Sequence, residues 1–173
     1  MKSFLVPFCL ALFFAGCAKK PAPAGGAAGG PKKILIGLSL DTLKEARWQS
    51  DRDYFTERAR QLGADVLVLS ANSDDSRQVQ DVQSLISRGV NVLVIVPHNG
   101  EAMTRAVQMA DDAGIPVISY DRLIKNCAIN LYISFDNVKV GEAQARYLVD
   151  HLPTPGKGKI IRIYGAPTDN NAR

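Results

Sequence analysis

The sequence has few of the residues that most often carry out catalysis or hold metal ions. It contains two histidines and three cysteines among 173 residues, and they form no cluster with the spacing of metal ligands. No serine or cysteine can be paired with a histidine base from its spacing, so no nucleophilic site is predicted. These absences favour a binding protein without metal or cofactor, and an α/β enzyme is the weaker alternative.

Motifs for phosphate and nucleic-acid binding are absent as well. The formal net charge is only +4, and no run of five or more lysines and arginines occurs. The composition therefore gives no support for nucleic-acid binding. The first predicted strand is not followed by GxGxxG, and GxxxxGK[ST] does not occur. Both nucleotide-binding fingerprints are excluded.

The apolar run near the N-terminus is too short to span a bilayer as a mature helix. It covers residues 4–16, FLVPFCLALFFAG, whereas a spanning helix needs about 20 apolar residues. We therefore predict a signal peptide over residues 1–16. Two small residues precede Cys17, as in a bacterial lipobox, although Phe14 stands where leucine is usual. The expected product carries lipid on Cys17; an ordinary signal peptide with an incidental cysteine is the alternative.

Residues 17–32 have the composition of a flexible linker, rich in proline, alanine and glycine. Fifteen such residues would reach roughly 20 Å, enough to hold a domain near a membrane surface. After removal of the signal peptide and lipidation of Cys17, Cys127 is the one thiol left in the sequence. It cannot close an intramolecular disulfide, and we expect it to be unreactive.

From Lys33 onward, apolar strands alternate with amphipathic helices. We predict strands at 33–40, 64–70, 90–97, 115–120 and 159–165, a short apolar segment at 130–135, and helices at 45–63, 74–89, 100–114 and 138–152. Apolar residues run through the strands without alternation, which is typical of strands buried on both faces. Joined through helices, such strands form a parallel sheet. The predicted fold is a doubly wound α/β domain with helices on both faces.

In an open parallel sheet, ligands bind beyond the carboxyl ends of the strands. Polar residues follow each of the first four strands, at Asp41 to Trp48, 70–72, 97–99 and 120–122. We expect these loops to meet at one edge. The adjacent Asp121 and Arg122 then belong to a binding site, and the alternative is a surface ion pair.

Five stretches resemble the periplasmic sugar-binding proteins of ABC importers, and among these the D-xylose-binding type. They include RGVNVLVIVPHNG and GIPVISYDRLI, and they lie at 46–53, 88–100, 114–124, 132–145 and 168–172. The resemblance implies a periplasmic binding protein of type 1 fold, with a sugar held between two lobes. Residues 33–135 would form the N-terminal lobe and 136–173 the start of a second, truncated lobe. We expect the chain to be a fragment.

The resemblance also implies which residues contact the sugar. Arg47 would donate hydrogen bonds to the sugar. Trp48 would stack on the sugar ring; the alternative is that it is a core residue of its helix. Asp121 and Arg122 would bind hydroxyls from the first lobe. Asp169 and Asn171 would do so from the second. His98 takes a position where xylose-type relatives commonly have tyrosine, which leaves the identity of the sugar open.

The function implied is that of a lipid-anchored solute-binding protein in the periplasm or at the cell surface. It would capture a monosaccharide, with D-xylose expected, and deliver it as a monomer to an ABC permease. A sugar sensor that presents an aldose to a receptor kinase or chemoreceptor remains the alternative. A LacI-like repressor would need an N-terminal helix-turn-helix and no export signal, so it is excluded.

Overall fold

The computed structural model describes residues 33–172. The predicted signal peptide over 1–16, the linker over 17–32 and the lipidation site at Cys17 lie outside the described residues. The elements, in chain order, are β1 (Leu35–Leu40), α1 (Ala46–Gln61), β2 (Asp65–Ser70), α2 (Asp75–Ser87), β3 (Val92–Ile95), α3 (Thr104–Asp112), β4 (Val117–Tyr120), β5 (Leu131–Ile133), α4 (Asn137–Asp150) and a 3₁₀ turn (Asn170–Ala172).

The five strands form one parallel sheet in the order β2-β1-β3-β4-β5. In the register of the central strands, Gly37 of β1 lies beside Leu67 of β2 and Leu93 of β3. Helices connect the first four strands, whereas a loop over residues 121–130 connects β4 to β5. Because all strands run in the same direction, their carboxyl ends lie at one edge of the sheet.

Two separate cores lie on opposite faces of this sheet. Side chains of α2 and α3 pack with Leu93 and Ile95 of β3 on one face. On the other face, Trp48 of α1 packs with Leu38, Leu40 and Val96. Successive strand residues alternate between the two cores, as the pleat requires. Helices on both faces of a parallel sheet confirm the predicted doubly wound α/β fold.

Local side-chain bonds explain where two of the helices begin. Asp74 accepts a hydrogen bond of 2.7 Å from a backbone N–H in the first turn of α2 and so caps that helix. Before α3, Oδ1 of Asn99 accepts from the backbone N–H groups of Glu101 (3.0 Å) and Ala102 (3.4 Å). These bonds stabilise a turn, and α3 begins at Thr104 rather than at the predicted residue 100.

One predicted core position of α1 is wrong. In the predicted helix 45–63, the helical spacing of Trp48, Phe55, Ala59 and Leu62 predicts one apolar face, and the structure buries Trp48 and Ala59 and partly buries Phe55. Leu62, however, is 70% exposed. The helix ends at Gln61. Leu62 therefore lies outside the helix, and helical spacing no longer determines which way its side chain points.

The predicted strand at 159–165 is also wrong. The structure has no strand there, and Ile161 and Ile163 are 89% and 91% exposed. A strand needs a hydrogen-bonded neighbour, and none of the described residues pairs with this segment. Helix α4 likewise buries no residue. Among residues 33–172, no helix is both long and apolar enough to cross a membrane.

Candidate functional site

Arg122 lies directly after β4 and binds groups from three other segments. Its Nη1 donates to Oδ2 of Asp41 after β1 (2.7 Å) and to the carbonyl of Pro97 after β3 (3.2 Å). Its Nε lies 3.0 Å from Oδ2 of Asp169. The Arg122 side chain is only 19% exposed, so these charge-assisted contacts are partly shielded from water. The loops after β1, β3 and β4 therefore converge as predicted, whereas no side chain of 70–72 joins these contacts.

Asp41 is the buried carboxylate at the centre of this edge, with 4% exposure. While Oδ2 binds Arg122, Oδ1 has no aligned hydrogen bond among the described residues. Nδ1 of His98 lies 3.0 Å from that oxygen. The backbone N–H of His98 donates to Oε1 of Gln78 (2.8 Å), whose side chain is fully buried and also donates to the carbonyl of Val96 (2.8 Å). A buried amide thus fixes the position of His98.

A second ion pair lies beside the first. Nη2 of Arg47, in the first turn of α1, contacts Oδ2 of Asp121 closely, and its Nε lies 3.8 Å from Asp51. Burial lowers the pKa of the Arg47 guanidinium, but the hydrogen bond and charge of Asp121 outweigh it, and the pKa is raised. Asp51 also accepts from the phenol of Tyr120 (3.0 Å). Burial and then Asp51 raise the pKa of Tyr120, so the phenol stays protonated and acts as a donor.

The backbone turns sharply at Asp121. Its φ angle is +63°, in the left-handed region that aspartate tolerates better than most residues with side chains. Its carbonyl accepts from the side chains of Tyr132 (3.1 Å), Ser134 (2.7 Å) and Asn171 (3.1 Å). These bonds hold the turn and direct the Asp121 carboxylate along the edge of the sheet.

Residues 169–171 join the same cluster from the far end of the chain. Nδ2 of Asn171 donates to Oδ1 of Asp121 (2.9 Å), and the backbone N–H of Leu123 donates to Oδ1 of Asn170 (2.7 Å). Oδ1 of Asp169 accepts from the backbone N–H of Asn171 (2.9 Å). The segment expected to belong to the second lobe is therefore hydrogen-bonded to the loop that carries Arg122.

Trp48 is nearly buried, with 5% exposure. The guanidinium carbons of Arg47 and Arg122 lie 4.4 and 5.6 Å from the centre of its ring, within the range of cation–π contacts. The ring is therefore packed below the two arginines and within the core around Leu38 and Leu40. It serves here as a support for both cations, and a role in stacking on a sugar remains a prediction.

The donors and acceptors at this edge suit a polyhydroxylated ligand. A guanidinium has five N–H donors, and Nη2 of Arg122 and Nη1 of Arg47 have no hydrogen-bond partner among the described residues. Carboxylate acceptors of Asp41, Asp121 and Asp169 lie beside them. A sugar hydroxyl both donates and accepts, so alternating cations and carboxylates can bind it from two sides.

The six residues predicted to contact the ligand lie in one connected cluster: Arg47, Trp48, Asp121, Arg122, Asp169 and Asn171. Their contact with a ligand stays a prediction. Sequence reasoning gave no binding role to Asp41, which pairs with Arg122, or to Asn170, which holds the backbone after Arg122. The position of Asp41 directly after a strand was the available signal for it. Nothing local marks Asn170, because its partners are 38 and 47 residues away.

Comparison with known proteins identifies the family of this chain. The family of the periplasmic binding protein domain matches residues 36–173. The chain is 46% identical over 142 residues to a D-xylose-binding periplasmic protein of Haemophilus influenzae, covering 82% of this chain and 42% of that protein. The chain thus spans less than half the length of that relative.

Two solved structures are also similar. A carbohydrate transporter solute-binding protein of Chloroflexus aurantiacus, in complex with D-glucose, superposes with a TM-score of 0.74 at 39% identity, covering 82% of this chain and 42% of that one. The fructose-binding periplasmic domain of a hybrid two-component system superposes with a TM-score of 0.69 at 30% identity, covering 80% and 46%.

The fold and the charged cluster at its strand ends place the chain in a class of α/β binding proteins. More specifically, the chain belongs to the periplasmic binding protein family, and it is similar to members that bind sugars. This is a family of binding proteins and not of enzymes.

Proposed function

We propose that the protein is an extracytoplasmic solute-binding protein that captures D-xylose or a related aldose for an ABC transporter. One observation carries the proposal: Arg122 is held between Asp41 and Asp169, while its Nη2 has no hydrogen-bond partner among the described residues. Such an arrangement offers fixed donors and acceptors in a partly buried site, and hydrogen bonds to charged groups contribute about 1.5–3 kcal/mol each. The 46% identity to a D-xylose-binding relative supports xylose as the first ligand to test.

The experiment is a calorimetric titration of the full-length protein. We expect D-xylose to bind more tightly than D-ribose and D-glucose. Binding of D-glucose or D-ribose in preference to xylose would keep the class of function and change the ligand. Failure to bind any aldose would contradict the proposal.

A membrane anchor at Cys17 is a second part of the proposal. A short apolar segment and two small residues precede Cys17, and a glycine-rich linker follows it. A lipid on that cysteine would keep the binding domain near a membrane permease. Mass spectrometry of membrane-extracted protein should find acyl chains on an N-terminal Cys17, and a Cys17→Ser variant should be released from the membrane. A mature N-terminus elsewhere without acyl mass would contradict the anchor.

Sugar sensing is the alternative function, and one observation favours it. The chain resembles the periplasmic domain of a two-component system as well as transport proteins. The two functions use the same sugar site and differ in the partner that recognises the loaded protein. Deletion of the gene for this protein should abolish growth on the sugar if the protein serves import. If growth persists while sugar-dependent transcription is lost on deletion of this gene, sensing is the function.

A further inference from the structure

His98 is a residue of the charged edge whose Nε2 has no hydrogen-bond partner among the described residues. It lies just after β3, within the convergence of loops that holds Arg122. Its Nδ1 faces the buried Oδ1 of Asp41 at 3.0 Å. Because the two nitrogens lie on different sides of the imidazole, Nε2 then points away from Asp41. The side chain is 34% exposed, so part of the ring is open to solvent.

A buried side chain holds the backbone of His98 in place. Gln78 of α2 is fully buried and accepts from the His98 backbone through Oε1. Its Nε2 donates to the carbonyl of Val96, directly after β3, and lies 3.3 Å from the hydroxyl of Ser39 in β1. One amide thus links two strands and a helix to the loop. Buried polar networks whose members are all bonded rigidify the groups that they hold.

Among the described residues, the charged groups around His98 contact its Nδ1 side and leave Nε2 without a partner. Asp41 faces the ring from β1, and Arg122 reaches the same carboxylate from β4. On the side of α2, Asp75 binds the neighbouring Asn99 (3.2 Å) rather than the imidazole. A ring with one nitrogen directed at a carboxylate can use the other to contact a hydroxyl as donor or acceptor.

We propose that His98 is a specificity-determining residue of the binding site, whose Nε2 hydrogen-bonds one hydroxyl of the bound aldose. This rests on the proposed sugar-binding function and extends it to a residue outside the six predicted ones. The Nδ1 side of the ring covers the buried carboxylate of Asp41. The Nε2 side selects among sugars by the position of one hydroxyl.

Two substitutions separate the two sides of the ring. In His98→Asn, the side-chain amide lies near the position of Nδ1, beside Asp41, and nothing occupies the position of Nε2. In His98→Gln, the longer side chain brings an amide to the position of Nε2. We expect His98→Asn to weaken D-xylose binding by about five- to tenfold, the effect of one hydrogen bond, and His98→Gln to recover part of that loss.

A set of deoxy sugars identifies the hydroxyl. Wild-type protein and both variants are titrated with D-xylose and with its 2-, 3- and 4-deoxy forms, and thermal unfolding checks that each variant is folded. One deoxy sugar should bind wild type about five- to tenfold more weakly than xylose yet bind His98→Asn as well as xylose does. If His98→Asn fails to fold, the same comparison is made with His98→Ala, which also has no group at the position of Nε2.

The outcomes distinguish this inference from the proposed function. If wild type binds xylose and His98→Asn binds it equally well, or if its loss is the same for xylose and every deoxy sugar, the inference is wrong and the proposed function stands. If wild type binds no aldose, both are wrong.

Discussion

At the scale of single residues, Arg122 links segments that lie far apart in the sequence. Its removal would strip Asp41, a carboxylate with 4% exposure, of its one aligned side-chain bond, and it would also remove the partner of Asp169. A buried charge left without a partner costs more than the bond itself contributed. Substitution of this arginine therefore distinguishes a binding site from a surface ion pair.

We expect Arg122→Ala to weaken sugar binding by roughly 2–4 kcal/mol, about thirty- to a thousandfold in affinity. Titration of the full-length protein with D-xylose measures this. Lys157→Ala is the matched control, because Lys157 lies in an exposed turn far along the chain and pairs with no carboxylate of residues 33–172. The affinity of this variant should stay unchanged. If the Arg122→Ala protein is folded and binds as tightly as wild type, Arg122 belongs to a surface ion pair and not to a binding site.

Trp48 gives a second prediction at this scale. Its ring lies below both guanidiniums and within a core, so Trp48→Ala should lower the free energy of unfolding by about 3–5 kcal/mol. It should also weaken sugar binding by about 1–3 kcal/mol, since both arginines lose their support. Trp48→Phe keeps an aromatic face and should restore most of both quantities. Unchanged affinity in folded Trp48→Ala would contradict a role for this ring at the site.

The place of the loops at this edge could be predicted from the sequence, whereas the contacts between their residues could not. Asp121 and Arg122 follow a predicted parallel strand, so their place at the edge depends on fold class alone, whereas a role for Arg47 was implied only by the resemblance. The direct pairing of Arg122 with Asp41 and Asp169, 81 and 47 residues away, depends on three-dimensional register. No local pattern encodes that register. The burial of Trp48 beneath two cations likewise depends on side chains from β4 and α1 together.

At the scale of elements, the loop between β4 and β5 carries the site, and Gly100 supports it from the start of the α3 turn. A Cβ atom at residue 100 would overlap the carbonyl oxygen of Leu123, which belongs to the backbone directly after Arg122. The carbonyl of Gly100 also accepts a hydrogen bond of 2.9 Å from the backbone of Lys125. The absence of a side chain at Gly100 thus allows the two loops to approach each other.

We expect Gly100→Ala to lower the free energy of unfolding by about 1–3 kcal/mol, the usual effect of overpacking, and to weaken sugar binding because the loop that bears Arg122 is displaced. The matched control is Gly141→Ala in α4, where an added Cβ meets no atom within 4 Å. It should stabilise the helix by about 0.5–1 kcal/mol. Thermal unfolding and a xylose titration test both, and a Gly100→Ala protein as stable as wild type would show that the loops can separate at no cost.

Sequence periodicity predicted the elements whose partners are present and failed where the partner is not among the described residues. The first four strands lie within their predicted ranges because their apolar residues meet helices on both faces. Residues 159–165 have the same apolar character, yet they form no strand. Strand formation is a property of two segments, so an apolar pattern alone cannot decide it.

At the scale of the whole molecule, the described residues divide into a buried part and an exposed part. The sheet with α1, α2 and α3 holds both cores. In α4 and the segment after it, apolar side chains face solvent, among them Val138, Val149, Ile161 and Ile163 at 72%, 52%, 89% and 91% exposure. The chain also spans only 42% of the length of its xylose-binding relative. The proposed cleft between two lobes would thus have one complete side here.

We therefore expect a protein limited to residues 33–173 to bind D-xylose weakly or not at all, and a longer protein that supplies the other side of the cleft to bind it more tightly. A sugar held from one side leaves its other hydroxyls in water, and the charged cluster gains little from contacts that water can replace. Both proteins are titrated with D-xylose, and circular dichroism checks that the shorter one keeps its α/β signal. Deletion of residues 136–173 from that shorter protein is the control, since it removes Asp169 and Asn171 together with the exposed apolar segment. Micromolar binding by 33–173 would show that one lobe is sufficient for the site, and the proposal of a sugar enclosed between two lobes would be wrong.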